Sequence, residues 1–113
     1  MTEIRIVKTE GTWVVRAYGA VIAESDHVLE LFEGDYPAVP YFPRSAIAMA
    51  FLDATDHSTH CPHKGDASYF TIVGRNNSLE NAAWSYESPK DKVSAIKGHI
   101  AFYPNEAIKI ERL

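Results

Sequence analysis

The chain has 113 residues, of which 46% are hydrophobic and 23% charged, as is typical of a single soluble globular domain, here residues 1–113. Its formal net charge of −4 argues against a nucleic-acid binder, because such a protein needs a clustered Lys/Arg face. No run of about 20 apolar residues could span a membrane, and the single cysteine excludes an intrachain disulfide. We therefore expect a cytoplasmic protein that binds neither nucleic acid nor membranes.

The first third of the chain shows the short alternating segments that indicate β-strands. Ile4 and Ile6 begin this pattern, and a longer strand is predicted over 12–18. The residues Tyr18-Gly19-Ala20 predict a tight hairpin turn, because glycine readily adopts the positive φ that such turns favour. A later strand carries Glu30 between two apolar neighbours on the same face. Glu30 is interpreted either as an edge-strand charge or as a functional residue.

One helix is predicted, over about residues 44–54. Ser45 is a suitable N-cap, and Ile47, Ala48, Phe51 and Leu52 form an apolar stripe with helical spacing. Arg44 precedes the predicted N-terminus, where its guanidinium and free backbone N–H groups could together hold an anion. A solvated arginine is the alternative interpretation.

The second half returns to strands, predicted over 66–73, 81–87, 99–103 and around 108–110, with a helical turn at 92–97. In total, about eight short strands and one helix predict a compact, mainly-β domain with a curled or barrel-like sheet.

The segment 57–65 concentrates the reactive side chains of the chain. Cys61 is a candidate nucleophile or redox thiol, with Lys64 as an electrostatic stabiliser and His60 or His63 as a proton carrier. The alternative is that Cys61 is a small buried hydrophobic residue, which is common for free cysteines.

The same segment contains several metal-ligand types, namely His57, His60, Cys61 and His63. Paired Cys-x-x-Cys knuckles are missing, and the predicted extended backbone points His60 away from His57 and His63. The sequence therefore predicts no metal site, and no cofactor is expected.

Aromatic residues recur on the predicted strands. They are Tyr41, Tyr69, Trp84, Tyr86 and Tyr103. Such residues usually form the core of a curved sheet. However, their polar groups also suit a small-molecule pocket, which typically combines apolar walls with a few polar groups.

A set of motifs runs along nearly the whole chain. They are Val21-Ile22-Ala23-x-Ser25, a strand with Glu30, Tyr41-Phe42-Pro43-Arg44, Ser58-Thr59-x-Cys61-Pro62-x-Lys64-Gly65-x-Ala67-x-Tyr69, Ala83-Trp84-Ser85-Tyr86-x-x-Pro89 and Ile100-Ala101-Phe102-Tyr103. Their content and order closely resemble the Domain of Unknown Function 427 family. This resemblance implies a small, mainly bacterial or fungal protein with a β-rich "β-complex" fold. The family is sometimes given a nucleotidyltransferase-like label, but the resemblance supplies no catalytic residues.

The leading hypothesis is a domain that binds a small anionic ligand near Cys61-Pro62-His63-Lys64-Gly65, and whether it is an enzyme stays open. The candidate catalytic residues are Cys61, Lys64 and His63, and the candidate ligand-binding residues are Ser25, Glu30, Tyr41, Arg44, Tyr69, Trp84 and Tyr86. Two alternatives stay open: a non-enzymatic protein-interaction module and a nucleotidyltransferase-like enzyme. The sequence contains neither a glycine-rich phosphate loop nor a paired Asp-x-Asp for Mg²⁺.

Overall fold

The computed structural model describes residues 3–113. Within them the chain forms ten strands: β1 (Ile4–Lys8), β2 (Trp13–Ala17), β3 (Ala20–Ser25), β4 (Leu29–Glu33), β5 (Val39–Tyr41), β6 (Leu52–Cys61), β7 (Gly65–Val73), β8 (Ser78–Ser85), β9 (Ile100–Phe102) and β10 (Ile108–Arg112). Three short 3₁₀ segments accompany them, at Arg44–Ala46, Met49–Phe51 and Asp91–Ile96. The predicted mainly-β fold class is confirmed. No helix among residues 3–113 has the length and apolarity needed to cross a bilayer.

The strands pair into three antiparallel sheets, with the orders β1-β4-β5, β10-β2-β3 and β6-β7-β8-β9. Within residues 3–113 none of these sheets closes into a barrel. The predicted hairpin between β2 and β3 is present, and both of its loop residues have positive φ, 49° for Tyr18 and 84° for Gly19. Two positive φ values fit a type I′ turn, whose twist matches that of the flanking strands.

The four-stranded sheet is covered on both faces, because successive residues of a strand point to opposite sides. On one face Phe70 and Phe102 join a cluster that includes residues of β2, β3 and β10. On the other face Tyr69 and Ala101 join a second cluster that includes residues of β4 and β5. The sheet therefore separates two apolar cores, each completed by one three-stranded sheet.

The helix predicted over 44–54 is wrong. This segment forms two isolated 3₁₀ turns, and β6 begins at Leu52. Its backbone is bonded to neighbouring strands: Ala48 N–H donates to the Ile22 carbonyl oxygen at 2.8 Å, and Ile47 forms a bridge with Ala23. These external bonds replace the internal hydrogen bonds that a helix requires.

The ten-residue strand β6 lies at the edge of the four-stranded sheet. Leu52 is its one buried residue, and most of the others are exposed. Polar side chains and the register shift between Ala54 and Ser58 are features that keep an edge strand from pairing with another chain.

Gly65 opens β7 with a φ of 115°, and a Cβ there would lie 3.4 Å from the carbonyl oxygen of Ser88. We expect Gly65→Ala to lower the free energy of unfolding by about 2 kcal/mol or more, because it combines backbone strain with a close backbone contact. Gly98→Ala is the matched control, since Gly98 has a φ of 72° and open space around its Cβ position. Urea denaturation that gives equal losses for both variants would contradict this reading.

Candidate functional site

The β6–β7 hairpin turn contains Cys61, Pro62, His63 and Lys64. The Lys64 N–H donates to the Cys61 carbonyl oxygen at 3.2 Å, which closes the turn. The Lys64 carbonyl oxygen in turn accepts from the Lys90 N–H at 2.9 Å. Because both backbone groups of Lys64 are bonded, the turn holds this residue in one place while its side chain reaches toward β4.

An ion pair joins this turn to β4. Lys64 Nζ lies 2.5 Å from Glu33 Oε1, and the two side chains are only 12% and 17% exposed. Glu33 follows Leu31 on the same face of β4, because alternate residues share a face, and both line the same cavity. A largely buried pair of this kind is desolvated, so each charge depends strongly on the other.

Aromatic rings surround the ion pair and form a cavity of about 180 Å³. Its walls include Tyr41, Lys64, Tyr69, Trp84, Tyr86, Tyr103 and Glu33; we refer to it as the aromatic pocket. Trp84 Nε1–H donates to the Tyr41 hydroxyl at 3.2 Å, and the two rings meet edge to face. On its other side Trp84 contacts Tyr103, with ring centroids 4.3 Å apart. These contacts fix the orientation of the indole.

Tyr69 extends the aromatic pocket toward β6. Its hydroxyl lies 2.9 Å from Thr59 Oγ1, and its ring centroid is 4.5 Å from that of His57. Thr59 and His57 lie two positions apart on β6, so they share the face of the strand that meets Tyr69. The edge strand therefore orients a pocket ring through its side chains.

The hydroxyls of Tyr41 and Tyr86 in the aromatic pocket are neutral, because burial raises the pKa of both groups. Burial raises the pKa of Tyr41 to about 12; the Trp84 hydrogen bond opposes the rise and the negative charge of Glu33 adds to it. Burial also raises the pKa of Tyr86 far above its ordinary value. At neutral pH these phenols can therefore both donate and accept hydrogen bonds.

A larger groove of about 510 Å³ adjoins the aromatic pocket. The two share the rings of Tyr36, Trp84 and Tyr103 in their walls, together with Glu33, Pro37 and Val39. Beyond these shared rings the groove is mostly apolar, and its lining includes Pro37, Pro104 and Ile110. A ligand seated in the aromatic pocket could therefore extend along an apolar surface.

Half of the ten candidate residues from the sequence line the aromatic pocket, and two more lie in the adjoining turn. Lys64, Tyr41, Tyr69, Trp84 and Tyr86 all line the aromatic pocket. Cys61 is half-buried beside the apolar cluster beneath the pocket, and His63 is half-buried in the turn. Within residues 3–113 no side chain forms a hydrogen bond with the thiol, and the imidazole of His60 instead lies 2.7 Å from Asp66 Oδ1.

Three other candidates lie elsewhere. Arg44 Nη2 donates to Glu87 Oε2 at 2.6 Å and to Ser85 Oγ at 3.4 Å. Ser85 is on the opposite face of the sheet from its neighbour Trp84, so Arg44 and the aromatic pocket are separated by the sheet. The hydroxyl of Ser25 accepts the His27 N–H at 2.9 Å within a local turn. Glu30 points to the opposite side of β4 from Glu33.

Glu33 is absent from the predicted site residues, because the Gly34, Asp35 and Pro37 that follow it are typical of a turn. A usable signal was present: Glu33 continues the Leu29–Leu31 alternation and therefore shares their face. Tyr36 is 73% exposed at the mouth of both cavities. The sequence around it indicates a turn but does not identify it as a site residue. Over the described range 3–113, no three His, Cys, Asp or Glu side chains are grouped closely enough to hold a metal ion.

Removal of one partner of the buried Lys64–Glu33 pair should destabilise the folded protein. We expect Lys64→Met to lower the free energy of unfolding by on the order of 3 kcal/mol, because Glu33 is left desolvated and unpaired. Adding Glu33→Leu should recover much of this loss, which a double-mutant cycle measures. The exposed pair Arg16–Glu111, with side chains 41% and 48% exposed, is the control, and Arg16→Met should cost below about 1 kcal/mol. Equal losses for the two single variants would contradict a structural role for the buried pair.

The raised pKa of Tyr41 makes stability depend on pH. Folding favours the neutral phenol, so its contribution is complete below the ordinary value of 10.0 and is lost as the pH rises through about 12. We expect the free energy of unfolding to fall across this window, and to fall less steeply in Tyr41→Phe. Urea titrations on either side of pH 10 measure the slope, with the exposed Tyr36→Phe as control. An unchanged slope in Tyr41→Phe would overturn this assignment.

A search of curated proteins finds no match to this sequence. A family model described as a domain of unknown function (DUF427) matches residues 5–112. This range contains every strand-borne residue of the aromatic pocket and the turn that carries Lys64. The match covers nearly the whole chain, and the protein therefore belongs to the domain-of-unknown-function family DUF427.

Proposed function

We propose that this protein binds a small molecule in the aromatic pocket, with a ring among the tyrosines and Trp84 and a polar group against Lys64 and Glu33. The observation that carries the proposal is the largely buried ion pair in the wall of a cavity otherwise lined mainly by aromatic rings. Small-molecule sites typically combine apolar walls with a few well-placed polar groups.

The volume of the pocket limits the size of the ligand. At about 180 Å³ it is smaller than the roughly 300 to 1,000 Å³ of sites that enclose drug-sized molecules. One ring with a short polar substituent is the matching size. Aromatic walls favour edge-to-face or offset contacts with such a ring, as Tyr41 already makes with Trp84.

The ion pair determines which polar group fits best. An anionic ligand, the expectation from the sequence, is attracted by Lys64 but repelled by Glu33 at 2.5 Å from the same ammonium. A neutral group that donates to the carboxylate and accepts from the ammonium satisfies both charges. We therefore propose a neutral ligand with an adjacent donor and acceptor, such as a primary amide.

An enzymatic role for Cys61, with Lys64 and His63, remains a separate prediction. The ammonium of Lys64 is engaged by Glu33, so it is not a free cation beside the thiol. The rate of thiol alkylation against pH tests the prediction. A thiol that is inert below about pH 9, half a unit above the ordinary pKa of cysteine, would remove Cys61 from catalysis.

For the nucleotidyltransferase-like alternative the readout is Mg²⁺-dependent binding of a nucleoside triphosphate. The other alternative, a non-enzymatic protein-interaction module, predicts a protein partner and no turnover.

Benzamide and benzoate separate the two ligand classes, because they share a ring and differ in the polar group. We expect benzamide to shift the NMR resonance of the Trp84 indole N–H at millimolar concentration, and benzoate to bind more weakly. In Glu33→Gln benzoate should bind more tightly than benzamide. Benzamide loses a charged acceptor, at a cost of about tenfold in affinity, whereas benzoate loses a repulsive neighbour.

Glu87→Gln is the matched control for this experiment. It removes a carboxylate that is paired with Arg44 on the other face of the sheet, so both affinities should stay unchanged. Absence of any Trp84 shift with either compound would contradict the proposed pocket. Tighter binding of benzoate to the unmodified protein would restore the anionic class of ligand.

A further inference from the structure

A third cavity, of about 400 Å³, lies between the β2–β3 turn and the β7–β8 turn. Ile22 and Ile72 in its lining belong to the first apolar cluster, on the opposite face of the four-stranded sheet from the aromatic pocket. Phe51 and Tyr18 add aromatic walls; we refer to this space as the turn cavity. Its volume falls within the range of small-molecule sites.

Tyr18 is an unusual residue for its position in the β2–β3 turn. It has a φ of 49°, and the first loop position of a type I′ turn favours Asn, Asp or Gly because a bulky side chain is strained there. Burial of the ring does not compensate this backbone strain, since Tyr18 is 52% exposed. It stands 4.0 Å from the Cβ position of Gly74 in the facing turn. An aromatic ring is thus held in a strained position where it forms a wall of the turn cavity.

Exposed apolar side chains are concentrated at this cavity. Among residues 3–113 eight large hydrophobic side chains are exposed, and three of them, Tyr18, Phe51 and Val73, line the turn cavity. Single exposed hydrophobic residues are ordinary, but a group around one concave surface is typical of a binding site.

The charge of the turn cavity differs from that of the aromatic pocket. Arg75 is the one charged residue in its lining, beside Asn76 and Asn77. In the described part of the chain Arg75 takes part in no ion pair, whereas Lys64 is neutralised by Glu33. An uncompensated guanidinium with two side-chain amides at the edge of an apolar cavity favours a carboxylate or a similar anion.

We propose that the turn cavity is a second binding site, for an amphipathic anion whose apolar body lies against Ile22, Ile72 and Phe51 and whose anionic group meets Arg75. This site does not depend on the function proposed for the aromatic pocket, because the two cavities share no lining residue.

Octanoate and octanol test the proposal, because they have the same chain length and differ in charge. We expect octanoate to shift the backbone amide resonances of Ile72, Val73 and Asn76 and to leave the Trp84 indole resonance unchanged. Arg75→Gln should weaken octanoate by up to about fivefold, the upper range for an exposed ion pair, and should leave octanol unchanged. Lys109→Gln, which removes an exposed positive charge outside the cavity, should change neither.

Tyr18→Asn gives an independent measurement, because asparagine suits the turn. It should keep or raise the thermal unfolding midpoint and weaken both octanoate and octanol. Shifts confined to Trp84, or equal losses of octanoate affinity in Arg75→Gln and Lys109→Gln, would overturn the proposal. So would binding to anionic phosphatidylglycerol vesicles without binding of monomeric octanoate, since that result assigns the apolar rim to a membrane surface.

Discussion

The ion pair between Lys64 and Glu33 is the interaction on which the site depends. It joins a hairpin turn of the four-stranded sheet to the last residue of β4, 31 positions away along the chain. Neither charge is well solvated, so each needs the other for the turn and the strand to stay together. The same pair supplies the charged atoms of a cavity whose other walls are mainly aromatic rings and apolar side chains. This one ion pair thus stabilises the contact between the turn and β4 and also supplies the charged groups of the aromatic pocket.

The sequence predicted the fold where local pattern and tertiary environment agree. Alternation identified the strands, and Gly19 identified the hairpin, because both signals come from adjacent residues. The helix over 44–54 was predicted wrongly, because the apolar residues of this segment have the spacing of a helical stripe. They are Ile47, Ala48, Phe51 and Leu52. In the structure Ile47 and Leu52 are buried against strands, and backbone bonds to Ile22 and Ile100 hold the flanking chain extended. Those partners are distant in sequence, so no local pattern reports them.

The candidate site was predicted in part for a similar reason. Aromatic residues on strands and the lysine of the turn are recognisable from residue type, and they converge. Tyr41 and Arg44 are three positions apart in the chain, yet they lie on opposite sides of the four-stranded sheet, because β5 ends between them and Phe42 bridges to Ile100. The partner of Lys64 could not be identified without the sheet register. The charge balance of the pocket, and with it the preferred class of ligand, therefore needed the structure.

Lys64, Glu33 and the surrounding rings are proposed to form one cavity that accepts a ligand. A crystal structure of the protein soaked with benzamide is the sharpest test of this proposal. We expect the ring to lie between Tyr41, Tyr69 and Trp84, with the amide nitrogen donating to the Glu33 carboxylate and the amide oxygen accepting from the Lys64 ammonium. Benzamide found only at other surfaces, beside an aromatic pocket that stays unchanged, would contradict it.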